Sequence, residues 1–260
     1  MLVSSPSLQA DTIEYTSVFA VELIDPVTLQ PVPPRGMAIS AVFPAGNLWN
    51  KPLSRGSRFV WAVLVDPNSQ PVAAAVPNSI TVTPPANSGY APFTYAAADI
   101  AAGISTDPEE WGLCRLYART APTYPFPSGV TQVSGLLRAV PDVAGQPIQV
   151  LPGAQLWVGW QDGSSNPATP RAGSRCLSGT RGDFAASVLF PSKASKSYPA
   201  TAADGTITLT LYVARFDPVA GWQQAHLVPD PNKPNPLAGI RPGQAVQLPA
   251  PIVWSNLTAG

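Results

Sequence analysis

Apolar residues fall in short runs along this chain, and most runs stop at a cluster of Gly, Pro, Asn, Asp or Ser. Val18 to Ile24, Phe59 to Val65 and Leu136 to Val140 are strand-like apolar runs. Met37/Ile39/Ala41/Phe43, Ile80-Thr-Val-Thr83 and Leu156/Val158/Trp160 place apolar residues at every second position. Period-two alternation puts one set of side chains on each face of a strand. One phrase punctuates the three apolar runs. It reads Asp25-Pro-Val-Thr-Leu-Gln-Pro-Val32, Asp66-Pro-Asn-Ser-Gln-Pro-Val72 and Asp142-Val-Ala-Gly-Gln-Pro-Ile148. Asp bonds its own backbone in a turn, and Pro presets φ. The later Pro lacks an N–H and suits a strand start or an edge. The pattern predicts strand–turn–strand units.

Longer pieces also recur in the same order. Phe59-Val-Trp-Ala-Val-Leu64 is similar to Phe184-Ala-Ala-Ser-Val-Leu189, and each follows a polar, glycine-containing turn. Leu113-Cys-Arg-Leu-Tyr-Ala-Arg119 is similar to Thr208-Leu-Thr-Leu-Tyr-Val-Ala-Arg215. A duplicated module at about 13–126 and 130–220 accounts for this; the alternative is chance similarity between β-strands. The first module carries an insertion at about 73–110. There, Tyr95 to Gly103 is alanine-rich and ends on a glycine, as a short helix does. Asp107-Pro-Glu-Glu-Trp111 has Asp as N-cap and Pro at the first helical position.

The third copy of the phrase carries a family likeness. Leu136-Leu-Arg-Ala-Val140, Asp142-Val-Ala-Gly145, Pro147-Ile148, Leu156-Trp-Val158 and Thr180-Arg-Gly-Asp-Phe184 together resemble the carboxypeptidase-regulatory-like (transthyretin-like) module. In the first copy, Leu29 stands where Gly145 matches the family pattern. The resemblance implies a small antiparallel sandwich used as a scaffold or adhesive, with these residues serving turns and core. The expected fold is all-β: two antiparallel β-sandwich (immunoglobulin- or transthyretin-like) modules, a short helical insertion, and a proline-rich C-terminal arm over 221–260. Within that arm, His226 to Pro236 holds four prolines and is expected to be extended. The arm would lie across the modules as an edge strand or reach a neighbouring subunit.

Composition narrows the role. Charged residues are 12% and the formal net charge is zero, with no basic block. Binding to nucleic acid by phosphate neutralisation has no source here. A weakly charged, neutral surface repels other proteins poorly, which favours life packed against other subunits. No stretch approaches the roughly 20 apolar residues that span a bilayer. The opening residues lack a basic segment followed by an apolar run. The expectation is synthesis in the cytoplasm, unless a signal was removed or lies outside this sequence, with a final place in a virion or extracellular particle. Cys114 and Cys176 are expected to be reduced and buried; the alternative is a single disulfide between them.

Candidate chemistry is sparse. His226 is the one histidine, so a Ser–His–Asp triad would have to use it, and its tail setting favours a solvated or interface role. One His and two distant Cys make no zinc set. Asp99, Asp107, Glu109 and Glu110 are the candidate paired carboxylates, and a helix N-terminus accounts for Asp107 and Glu110. Arg181-Gly182-Asp183 spells an adhesion tripeptide where a β-turn enters the strand at Phe184. Trp157 and Trp160 sit on opposite faces of one strand, so one faces outward unless another layer covers it.

The expected function is a non-catalytic structural component of a phage virion or a phage-tail-like contractile injection particle. The alternative is a glycan-binding or adhesive surface module. The candidate interface residues are Trp157, Trp160, Trp222, Trp254, His226, Pro231 and Pro234, with no cofactor, no metal and no membrane partner.

Overall fold

A computed structural model describes residues 15–44, 51–64, 76–110, 112–163, 170–228 and 235–259. The middle copy of the phrase, Asp66 to Val72, and Pro231 and Pro234 lie outside the described residues. The chain forms two compact units. Unit 1 comprises Met1–Leu23, Pro31–Val82 and Thr94–Leu116; unit 2 comprises Ile24–Gln30, Thr83–Phe93 and Tyr117–Gly260. The segments 24–30, 83–93 and 117–126 fall in unit 2.

Unit 1 is built on β1 (Tyr15–Ile24), β2 (Ala38–Val42), β3 (Leu53–Arg55), β4 (Arg58–Leu64), β5 (Ser79–Thr83), β6 (Phe93–Ala96) and β7 (Leu113–Tyr117). One sheet has the order β3-β4-β1-β7 and another β2-β5-β6. Alternation does what period two demands: β2 buries Ile39 and Ala41, and β5 buries Ile80 and Val82. Phe19, Phe43 and Trp61 meet with ring centroids 6.0–6.4 Å apart, tilted geometries that suit the quadrupoles of the rings. Among the described residues there is one α-helix, α1 (Ala97–Gly103). Tyr95 and Ala96, expected to start it, close β6 instead. Its last residue is glycine for a reason the sequence did not show: a Cβ at Gly103 would collide with the Arg115 carbonyl oxygen of β7. Asp107 caps the following 3-10 turn (Pro108–Glu110), its Oδ1 accepting from Glu109 N–H at 2.9 Å.

Unit 2 is built on β8 (Thr131–Arg138), β9 (Gln155–Gln161), β10 (Pro170–Ala172), β11 (Cys176–Leu177), β12 (Asp183–Val188), β13 (Thr210–Asp217), β14 (Gly221–His226), β15 (Ala245–Gln247), β16 (Ile252–Val253) and β17 (Thr258–Ala259). One sheet runs β10-β9-β13-β14-β17 with β11 also on β9; the other runs β12-β8-β15 with β16 also on β8. A single apolar cluster draws on both sheets. It takes Val133 and Leu137 from β8, Phe184 and Val188 from β12, Leu156 and Val158 from β9, and Leu211 and Val213 from β13.

The same cluster holds Leu237, Ile240, Leu248 and Ile252. The C-terminal segment is thus no free arm. Gly221–His226 pairs along β13, β15 and β16 lie parallel on β8, and Thr258 pairs with His226. Proline density suggested an arm, but the apolar residues between the prolines are what the core takes up, and burial of each such side chain contributes about 1.5–3 kcal/mol.

The two units share a strand order. β1 pairs antiparallel with β4, as β8 does with β12. The order β2-β5-β6 answers to β9-β13-β14. A late strand runs parallel to the first in each: β15 along β8, and β7 along β1, where Ala20 N–H donates to Gly112 O and Ala118 N–H to Ile24 O. By place in the sheet, Thr210–Asp217 answers to Ser79–Thr83, not to Leu113–Tyr117 as the sequence likeness suggested. Alternating strands resemble one another wherever they sit, because period two encodes only two faces.

Candidate binding cleft

Asp25 shows how the turn phrase works. Its Oδ1 accepts from Val27 N–H at 2.7 Å and Thr28 N–H at 2.9 Å, and its backbone N–H donates to Gln30 O. Leu29 then takes φ +59°, the left-handed conformation that Gly145 takes at +79° in the third copy. For a residue with a Cβ this costs about 1–2 kcal/mol. Asp25 is buried, and Tyr90 and Tyr124 both donate their hydroxyls to its Oδ2, at 2.5 and 2.6 Å. Burial alone would raise its pKa. The bonds from Tyr124, Tyr90, Thr28 and Val27 outweigh burial and hold it below the ordinary carboxylate value. Both tyrosines are pushed up, by burial first and then by the carboxylate beside them. Asp142 behaves differently: it is half-exposed and sits 3.5 Å from Arg138.

Beside this turn, unit 2 has a cleft of about 390 Å³ whose lining includes Leu29, Tyr117, Arg119, Ser174, Arg175 and Leu189. Its walls are tied down. Ser174 Oγ donates to Pro26 O at 3.0 Å. The Arg175 guanidinium lies 4.7 Å from the Trp157 ring and donates to Gln155 Oε1 at 3.1 Å. The buried Arg119 guanidinium lies 4.8 Å from the Phe93 ring. Cation–π contact orients both cations.

Comparison with protein-family models, curated proteins and solved structures finds no match to this chain.

The expected interface residues divide. Trp157 and Trp160 do lie on opposite faces of β9, and both are buried, at 6% and 7% exposure. Trp160 is in the core and donates Nε1–H to Ser197 O at 3.0 Å. Trp157 is stacked on Tyr212, 5.5 Å away and 6° from parallel, with Arg175 over it. Trp254 follows β16 and carries Arg215 at 4.7 Å. His226 is half-buried in β14, its ring 5.8 Å from Tyr212. It belongs to a sheet rather than to a solvated tail. Trp222 stays 47% exposed.

The other candidates serve structure. Cys114 and Cys176 are free, buried thiols, each pushed up to about 12 by desolvation and therefore held as thiols rather than as nucleophilic thiolates. Glu110 accepts from Arg115 and Ser105. Arg181-Gly182-Asp183 forms the turn into β12, with Gly182 O accepting from Leu137 N–H. No cluster of three or more His, Cys, Asp or Glu gathers among the described residues, and no helix among them is long and apolar enough to cross a membrane. Sequence reasoning missed Tyr90, Tyr124, Arg119 and Arg175. Each lies far along the chain from what it contacts, so no local spacing marks it.

Proposed function

We propose that this chain is a non-catalytic structural component of a large assembly, a phage virion or a phage-tail-like contractile injection particle, in which it decorates, joins or caps other subunits, copies of itself included. Each unit is read as a small β-sandwich of the carboxypeptidase-regulatory-like kind, and the pair as a duplication; the shared strand order supports the duplication. The protein would be made in the cytoplasm and end in the particle. The observation that carries the role is the end of the β13–β14 hairpin. Phe216 and Trp222 pair across the ladder with ring centroids 5.7 Å apart, Phe93 lies 6.5 Å from Trp222, and Val219 at the tip is 98% exposed. Aromatic, apolar surface left in water marks a contact with a partner. The binding role rests on this hairpin and not on the C-terminal segment, which unit 2 uses for its own core.

Velocity sedimentation of the protein, and of particle fractions from producing cells, tests this. The protein is expected to associate with itself or to travel with particles, and Phe216→Ser with Trp222→Ser is expected to abolish either behaviour. A monomer at every concentration that never enters a particle fraction sinks the proposal. The exposed Trp222 ring also supports the second reading, a glycan-binding or adhesive module. That reading expects a sugar-dependent change in tryptophan fluorescence that Trp222→Ala removes; silence on a broad sugar panel disposes of it.

A further inference from the structure

We infer that the cleft beside the Asp25 turn takes the carboxylate side chain of an otherwise apolar peptide segment on a partner protein. This rests on the proposed joining role and names the partner's chemistry. Two guanidiniums line one cleft, and no lining residue is acidic. Arg175 is exposed, and its contacts are with an amide oxygen and an aromatic ring. A guanidinium offers five N–H donors in a fixed fork, so one bond to Gln155 leaves others for a ligand in the cleft that Arg175 lines. Such a fork matches a carboxylate better than any other side chain.

The remaining surface selects what carries that carboxylate. Pro26, Leu29 and Leu189 give aliphatic walls, and Tyr117 adds a half-exposed ring. Leu29 holds 59% of its surface in water while its backbone pays for a left-handed φ. Backbone strain of this kind gathers at binding sites, and here it fixes an apolar side chain at the rim. Only two hydroxyls lie on the wall, those of Ser174 and Tyr117, and Ser174 already donates to Pro26 O. An acidic sugar, with many hydroxyls to satisfy, would find few partners on these walls; a Glu flanked by aliphatic residues would find both the charge and the apolar contact. The walls are set before binding by Asp25, Tyr90, Tyr124 and Ser174, which lowers the ordering cost of association.

The test uses the intact protein on an array of pentapeptides, each with one Glu among aliphatic residues, beside the same peptides with Gln. The Glu set is expected to bind about tenfold more tightly, the size of one charge-assisted hydrogen bond. That preference should weaken as salt rises and vanish in Arg175→Gln, an exposed site whose folding is checked by its thermal melt. Equal binding of the Glu and Gln sets, or no binding by either, overturns the inference. Binding of D-glucuronate that depends on Arg175, with no peptide bound, overturns it in favour of acidic sugars. The salt series on the unaltered protein keeps the test decisive should Arg175→Gln misfold. Sedimentation is run in parallel: association without a Glu preference overturns the cleft alone, and a Glu preference in a protein that joins nothing overturns the joining role alone.

Discussion

Unit 1 and unit 2 close the same strand order with different chemistry. In unit 1 the parallel strand β7 buries Leu113, Cys114 and Leu116 and adds a charge network with β1. Glu22 is buried on β1, with Arg115 of β7 at 3.3 Å, Arg58 of β4 at 3.6 Å and the Ser57 hydroxyl at 2.8 Å. In unit 2 the parallel strands β15 and β16 are held on β8 by apolar burial, through Leu248 and Ile252. Strand order therefore does not dictate what cements it. An ion network half-open to water contributes little and falls with salt; a desolvated aliphatic cluster contributes more and tolerates no trimming.

The difference can be broken most severely by removing residues 235–260. Unit 2 would lose β15–β17 and four buried side chains, each contributing about 1.5–3 kcal/mol, against a total stability of about 5–15 kcal/mol for a domain. Loss of its cooperative melt is expected, with hydrogen exchange opening across β8–β14. A truncated chain that melts like the parent would show the C-terminal segment to be the dispensable arm that its prolines suggest.

Next in size is Asp25→Asn, expected to cost about 1–3 kcal/mol at pH 7, because two tyrosine hydroxyls and two N–H groups lose a charged acceptor. The sign of the pH effect follows from a folded pKa held below the unfolded value near 3.8. The stabilisation is fully present above the unfolded value and fades as pH falls through the folded one. Urea midpoints at pH 7 and below pH 3 should converge for the parent and the variant; a constant gap would refute the assignment.

Glu22→Gln sharpens the contrast between the units. A loss of about 1 kcal/mol is expected, smaller in high salt, since both arginines are more than 40% exposed. A salt-independent loss would mean the network acts as packing. Smallest is Asp142→Asn, expected within about 0.5 kcal/mol because that pair is half in water. A cost equal to that of Asp25→Asn would show the two phrase copies to be energetically alike after all.

The strands themselves were legible in the chain, because period-two alternation is a local property: β2 and β5 bury every second residue, β9 lies where the pattern places it although it is buried on both faces, and Asp25 turns the chain as its neighbours require. The placing of Trp157 and Trp160 on opposite faces was legible too, but the burial of both depended on Tyr212 and Arg175, which cover the second face from elsewhere in the chain. The cleft was not legible. Arg119 stacks on Phe93 and Arg175 on Trp157, and Tyr90 and Tyr124 reach Asp25 across 65 and 99 residues. Amino-acid order by itself determined which segments would be extended and which of their sides would be apolar. Which strands became neighbours, which ran parallel, and whether 235–259 reached outward or folded back were decided only in three dimensions, because pairing and burial depend on distant segments competing for the same apolar surface.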